Sequence, residues 1–146
     1  MREFFEEEYG NAGSRTHGYG NTAKKAVQAA RDEVAAVVEV ERDEVVFTSG
    51  ATESNNIAIL GLAKHGRETG RKHIITSQIE HKAVLEPVER LQAEGFECDF
   101  LPCSSEGYVE PKAVGDALRP DTLLVSIMHA NNETGILQPI SEIGEA

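Results

Sequence analysis

The sequence has no tryptophan, only two cysteines, and aromatic residues at 5% of its 146 positions. With so few aromatic side chains, the core must be built from Val, Ile, Leu and Ala. Two cysteines are too few for a disulfide-stapled secreted scaffold, so we expect a cytoplasmic protein. Cys98 and Cys103 have no second pair of ligands and the five histidines are widely spaced, which predicts no metal site.

Long apolar runs and basic clusters are also missing. No run approaches the ~18 apolar residues that a membrane-spanning helix needs, and the first eight residues are acidic rather than basic and apolar. The formal net charge of -11 repels phosphate backbones and anionic lipids. We therefore expect neither a nucleic-acid partner nor a membrane partner. The length suits one domain, or part of a larger one.

Helical and strand patterns alternate along the chain. Apolar residues at steps of three and four between Asn21 and Val38 predict a helix with one buried face, formed by Val27, Ala30, Val34, Val37 and Val38. Short runs rich in β-branched residues predict buried strands. The predicted strands are Glu44–Thr48, His73–Thr76, Phe96–Leu101 and Thr122–Met128, and helices are predicted after Thr48, over Lys82–Ala93, over Glu110–Leu118 and from Ser141. The alternation predicts an α/β fold with a mainly parallel sheet flanked by helices.

Three of the predicted strand ends are polar, and ligands gather at such ends in open α/β sheets. After Phe47, residues 48–56 (TSGATESNN) combine small residues with a following helix, which predicts a phosphate cradle. An ordinary helix N-cap, with Ser49 or Thr52 as the cap, explains the same pattern. The P-loop lysine is missing, which argues against a nucleoside triphosphate.

The other two polar strand ends carry a histidine and a pair of amides. His81 follows the strand at His73–Thr76, where it could stack on a bound ring or exchange protons, or simply cap the next helix. Residues 129–135 (HANNETG) follow the most apolar strand, and their amides need either turn backbone or a ligand as partners.

Taken together, three motifs closely resemble cysteine desulfurases of the NifS/IscS type, which are class V aminotransferase-like, fold-type I pyridoxal-phosphate (PLP) enzymes. The motifs are residues 47–55 (FTSGATESN), 80–84 (EHKAV) and 126–135 (SIMHANNETG), and residues 10–17 (GNAGSRTH) resemble the family's early loop. The similarity runs in order through nearly the whole chain. It implies that residues 1–146 are the amino-terminal part of the PLP-binding large domain, without its opening segment, its remainder or the small domain.

The resemblance also implies the roles of individual residues. Ala51 and Thr52 would bind the cofactor phosphate, His81 would be the catalytic residue that stacks on the pyridine ring, and Asn132 would sit beside the ring's phenolic oxygen. The family's cofactor-anchoring lysine and its catalytic cysteine have no counterpart in these residues. We therefore expect the chain alone to be inactive and to bind PLP weakly or not at all.

For the full enzyme, the resemblance implies conversion of L-cysteine to L-alanine, with the sulfur passed on as an enzyme persulfide. The implied partners are a sulfur-acceptor protein or iron-sulfur scaffold, for iron-sulfur cluster or thio-cofactor synthesis, and a second copy in a homodimer. Two alternatives remain open at this point. The chain could come from a selenocysteine lyase or another class V relative, or it could be a non-catalytic remnant that only pairs with another chain.

Overall fold

A computed structural model of the chain describes residues 2–14 and 18–146, which form two units. The first unit extends to Phe47, and the second covers Thr48–Ala146. Arg15, Thr16 and His17, which belong to the early loop singled out in the sequence, lie outside the described residues.

The first unit contains helices α1 (Arg2–Glu6) and α2 (Gly18–Val38) and a 3-10 helix at Arg42–Glu44. The prediction of a helix over Asn21–Val38 is confirmed, and α1 was not predicted. Gly10 packs against the start of α2 so closely that a Cβ there would lie 2.0 Å from the Tyr19 carbonyl oxygen. Only glycine permits this close approach.

The predicted buried face of α2 is wrong. The buried residues of the helix are Gly20, Ala23 and Ala35, whereas Val34 is 43% exposed and Val37 is 82% exposed. Periodicity shows which residues share a helical face, but burial also requires an element that packs on that face. The apolar stripe of α2 is exposed along its carboxyl-terminal half.

The predicted strand at Glu44–Thr48 is also wrong. Glu44 ends the 3-10 helix, and Val45 has extended backbone angles (φ -91°, ψ 119°) without belonging to any strand of the sheet. Val46 is 66% exposed, and Phe47 contacts the Arg31 guanidinium at 5.6 Å from its ring centroid. An apolar extended segment becomes a strand only when a neighbouring strand supplies its hydrogen bonds.

The second unit alternates helices and strands as predicted. Its elements are α3 (Ala51–Thr69), β1 (His73–Ser77), α4 (Lys82–Ala93), β2 (Glu97–Leu101), α5 (Pro111–Ala117), β3 (Thr122–Ser126) and α6 (Ile140–Gly144). The strands form a parallel sheet in the order β2-β1-β3, with His73 opposite Glu97 and Thr122. This confirms the α/β fold class.

The core of the second unit lies between the sheet and helices α3 and α4. Ile74 of β1 is fully buried against Ile59 and Ala63 of α3 and Val88 and Leu91 of α4. All five residues of β1 are buried, as expected for the central strand of a parallel sheet. This core holds α3 and α4 against the sheet, with their starts facing one cavity and α4 beginning just after the carboxyl end of β1.

Cys98 of β2 packs at the edge of this core. Its thiol donates to the Val88 carbonyl oxygen at 3.7 Å. Burial, assisted by the neighbouring Asp99 carboxylate, raises the pKa of the thiol to about 11. Such a protonated thiol is a packing group and a poor nucleophile.

No helix within residues 2–14 and 18–146 is both long and apolar enough to span a lipid bilayer.

Candidate functional site

The start of α3 leaves backbone donors facing outward. Gly50 is the N-cap and has no side-chain capping bond, so the alternative in which Ser49 or Thr52 caps the helix is wrong. The first hydrogen bond along the helix runs from the Ser54 N–H to the Gly50 carbonyl oxygen at 3.1 Å. The N–H groups of Ala51 and Thr52 precede this bond in the first turn, where free N–H groups form the positive end of the helix dipole.

A carboxylate already occupies part of this turn. The Ser49 N–H donates to Glu53 Oε2 at 2.6 Å, and this bond lowers the pKa of the Glu53 carboxyl below its usual value. The Thr48 and Ser54 hydroxyls, 2.7 Å apart, close the other side of the turn. An incoming anion would therefore meet the Ala51 and Thr52 N–H groups rather than that of Ser49.

His81 is the N-cap of α4, as one of the two sequence interpretations predicts. Its Nδ1 accepts a hydrogen bond from the Ala83 N–H at 3.0 Å. Since an accepting nitrogen carries no proton, a neutral His81 ring holds its proton on Nε2. The capping bond fixes the direction of the ring, and the residue remains exposed.

The loop after β3 is organised by Asn131. Its Oδ1 accepts from the Glu133 N–H, the Thr134 N–H and the Thr134 hydroxyl, at 3.0, 2.9 and 3.2 Å. Its Nδ2 donates to the Ile79 carbonyl oxygen at 3.1 Å. Asn132 is exposed at the outer side of this loop. Asn131 thus has the turn partners that one of the sequence alternatives required, and Asn132 is presented to solvent.

Two cavities meet at His81. The larger, about 570 Å³, is lined by the loop after β1, by Leu85 of α4 and by Asn131 to Thr134, so it contains both His81 and Asn132. The smaller, about 320 Å³, lies between the starts of α3 and α4 and contains Thr52 and His81. The structure therefore brings Thr52, His81 and Asn132 together around one imidazole. Ala51 precedes Thr52 in the chain but lines neither cavity.

The donor set fits a phosphate ester on a flat ring. Besides Thr52, the smaller cavity is lined by Lys82 and Arg90, whose two positive charges outnumber the single negative charge of Glu86 and so favour an anion there. The larger cavity offers an imidazole and an amide, which suit an aromatic face and a ring oxygen. Nowhere in residues 2–14 and 18–146 do three or more His, Cys, Asp or Glu side chains come together as a metal site would need.

The sequence interpretation missed Glu80. This residue is 8% exposed, and its Oε1 accepts from the Met128 N–H at 2.6 Å and from the Ser77 hydroxyl at 3.2 Å. Burial raises the pKa of the carboxyl above its usual value, against the lowering effect of those two bonds. Glu80 stands beside His81 in the 80–84 motif, but among polar neighbours nothing in the sequence marks it as buried.

Comparisons with known proteins identify the family. The family model described as aminotransferase class-V matches residues 1–146. A cysteine desulfurase IscS of Anaeromyxobacter sp. (strain K) is 51% identical over 144 residues, covering 99% of this chain and 35% of that protein.

Solved structures agree with this match. The crystal structure of DndA from Streptomyces lividans is 58% identical with a TM-score of 0.90, covering 99% of this chain and 40% of that one. A structure described as SspA in complex with cysteine is 39% identical with the same TM-score, and 41% of it is covered. The chain spans about a third of the length of the curated relatives it matches. With a family model that matches its whole length, this chain belongs to the class-V aminotransferase family.

Proposed function

We propose that this chain forms part of the PLP-binding surface of a cysteine desulfurase, as the amino-terminal part of the large domain. The family is PLP-dependent, and cysteine desulfurases match nearly the whole chain. The observation that carries the proposal is the position of His81. Its ring lines both the cavity beside Thr52 and the cavity beside Asn132.

The phosphate of PLP would bind at the start of α3. The Ala51 and Thr52 N–H groups donate to it, and the positive end of the helix dipole stabilises its charge. Lys82 and Arg90 line the same cavity and add more positive charge than Glu86 removes. Arg90 also pairs with Glu94 at 3.1 Å, which holds the guanidinium on the α4 surface.

His81 and Asn132 would orient the ring. The imidazole stacks on the pyridine face, while the Ala83 N–H keeps the imidazole plane fixed through Nδ1. The Asn132 amide donates to the phenolic oxygen of the ring and so holds it in one orientation. PLP, when bound, supplies an electron sink for bonds at the substrate's α-carbon.

The substrate we propose for the whole enzyme is L-cysteine, which loses its sulfur and leaves L-alanine. The structure described as SspA in complex with cysteine supports this substrate class. The sulfur would leave as an enzyme persulfide for a sulfur-acceptor or iron-sulfur scaffold protein, in a cytoplasmic homodimer. The two free thiols, Cys98 and Cys103, are compatible with a reducing compartment.

The proposal is tested by titrating the chain with PLP and following absorbance. His81→Asn keeps an acceptor for the Ala83 N–H but removes the ring, so we expect it to bind PLP about three- to tenfold more weakly than the parent because stacking is lost. Asn132→Ala should also weaken binding. Gln92→Ala, on the exposed side of α4, is the control. If His81→Asn binds PLP as tightly as the parent, His81 is only a helix cap and the proposal fails.

A further inference from the structure

We propose that Glu80 is a positioning residue that joins the loop carrying His81 to the loop carrying Asn132. The inference rests on the proposed PLP site and adds a residue to it that does not touch the cofactor. Glu80 lies directly before His81, and its carboxylate contacts the backbone at the end of β3.

The carboxylate bridges two strand ends. Glu80 Oε1 accepts from the Met128 N–H at 2.6 Å, a short charge-assisted hydrogen bond, and from the Ser77 hydroxyl at 3.2 Å. Ser77 is the last residue of β1, and Met128 follows β3. The bridge therefore fixes the distance between the two loops at the sheet edge where they diverge.

Hydrogen bonds of the neighbouring residues extend the bridge into a small network, in which Glu80 is the charged member. On one side of it, Gln78 donates to the Leu101 and Phe100 carbonyl oxygens of β2, at 2.9 and 3.1 Å. On the other side, Asn131 donates to the Ile79 carbonyl oxygen. Each residue from Ser77 to Glu80 is thus held by a neighbouring strand end or loop, and His81 inherits its position from them.

Burying a carboxylate is unfavourable, and the raised pKa of Glu80 expresses that cost. A neutral or apolar residue at this position would avoid the free-energy cost of removing a carboxylate from water. Within residues 2–14 and 18–146 no cation pairs with the Glu80 carboxylate, which instead bridges two loops of the proposed site. Its contribution is therefore to geometry rather than to stability. The hydrogen bonds to two different strand ends distinguish Glu80 from a carboxylate that is buried without a structural role.

Two substitutions whose side chains are similar in length to glutamate test the role of the Glu80 hydrogen bonds separately from that of its size. Glu80→Gln keeps an oxygen that can accept from the Met128 N–H, whereas Glu80→Met fills the space without an acceptor. Glu89→Ala, on the exposed side of α4, is the matched control. For each variant, circular dichroism checks the fold, NMR follows the Met128 amide and the His81 ring, and PLP affinity is titrated at low salt.

We expect Glu80→Met to move the Met128 amide upfield and to shift the His81 ring signals. PLP binding should weaken about three- to tenfold, as for loss of the His81 ring itself, because the ring is no longer held where it stacks. Glu80→Gln should restore most of each property. If Glu80→Met leaves the His81 signals and the PLP affinity at the parent's values, the positioning role is wrong even though PLP binds. If the parent chain alone shows no PLP binding, as the missing lysine allows, the Met128 amide and the His81 ring signals support or overturn the bridge on their own.

Discussion

Burial of the Glu80 carboxyl makes the stability of the folded chain depend on pH. The carboxyl is held among Ser77, Met128 and the β1 strand end, where burial raises its pKa above the ordinary value of 4.5. For a group whose pKa is raised by folding, the associated stability is present below the ordinary pKa and is lost as pH rises through the raised value. Ionised Glu80 therefore destabilises the folded chain at neutral pH.

This sign gives a prediction for Glu80→Gln, which stays neutral at every pH. We expect the variant and the parent to have similar free energies of unfolding at about pH 4, and the variant to be the more stable one at about pH 7. Urea unfolding at both pH values measures the difference. A parent that gains stability over Glu80→Gln as pH rises would mean that the hydrogen bonds from Met128 and Ser77 outweigh the burial cost.

The neighbours of Glu80 show how far the site could be predicted from the sequence. His81 and Asn132 follow predicted strands, and the structure brings both to one cavity at the strand ends, where the rule that ligands gather there directs attention. Their exact roles came from the resemblance and remain predictions. Asn131 and Glu80 look like ordinary polar loop residues, because their burial and hydrogen bonds depend on which strands are neighbours. Strand order is a property of the sheet that local patterns do not encode.

At the scale of the element, α3 carries two interior glycines in opposite environments. A Cβ on Gly66 would lie 2.6 Å from the Arg71 carbonyl oxygen and 2.8 Å from Leu123 Cδ2. A Cβ on Gly61 would meet no atom within 4 Å. The packing of α3 therefore requires glycine at position 66. At position 61 glycine is not required and only lowers the stability of the helix.

The pair supplies its own control. We expect Gly66→Ala to lower the free energy of unfolding by about 1–3 kcal/mol because backbone and core must move apart. Gly61→Ala should raise it by about 0.5–1 kcal/mol because alanine is the better helix former. Chemical denaturation of both variants beside the parent measures the two effects. Equal changes would mean that α3 shifts freely on the sheet.

The elements themselves were predicted unevenly for a physical reason. Every helix and strand of the second unit was anticipated, since Ile74, Val88 and similar residues are both patterned and buried. The pattern at Val45–Phe47 is just as apolar, yet no strand lies beside it within the described residues. Pattern predicts what a segment can become, and its neighbours decide whether it does.

At the scale of the whole chain, a net charge of -11 opposes the association of copies through exposed apolar surface. Phe5, Tyr9 and Val37 are more than two-thirds exposed, and β2 and β3 are the edge strands of the sheet. Exposed strand edges and apolar patches favour pairing with other chains. Mutual repulsion between copies is the force that resists this pairing.

We therefore expect the 146-residue chain on its own to self-associate, and more so as salt is added, because screening shortens the range of repulsion to ~8 Å at about 0.15 M. Light scattering across a salt series measures the apparent mass. A discrete dimer would not separate native pairing from edge pairing. A monodisperse monomer at every salt concentration, unfolding in one sharp step, would show instead an autonomous domain.

The sheet order β2-β1-β3 also has a kinetic meaning. β1 reaches β2 across a single helix, α4, whereas its pairing with β3 must close about twice as much chain. Each doubling of a closed loop costs roughly 0.6 kcal/mol of chain entropy. The β1-α4-β2 half should therefore assemble first, so that amides of β2 gain protection in pulse-labelled hydrogen exchange before those of β3. If the amides of β2 and β3 gain protection at the same time, the rate-limiting step of folding involves the whole sheet. On this order of events, β1 gains its second neighbour last, and the strand end that precedes His81 is completed only when the slower closure is made.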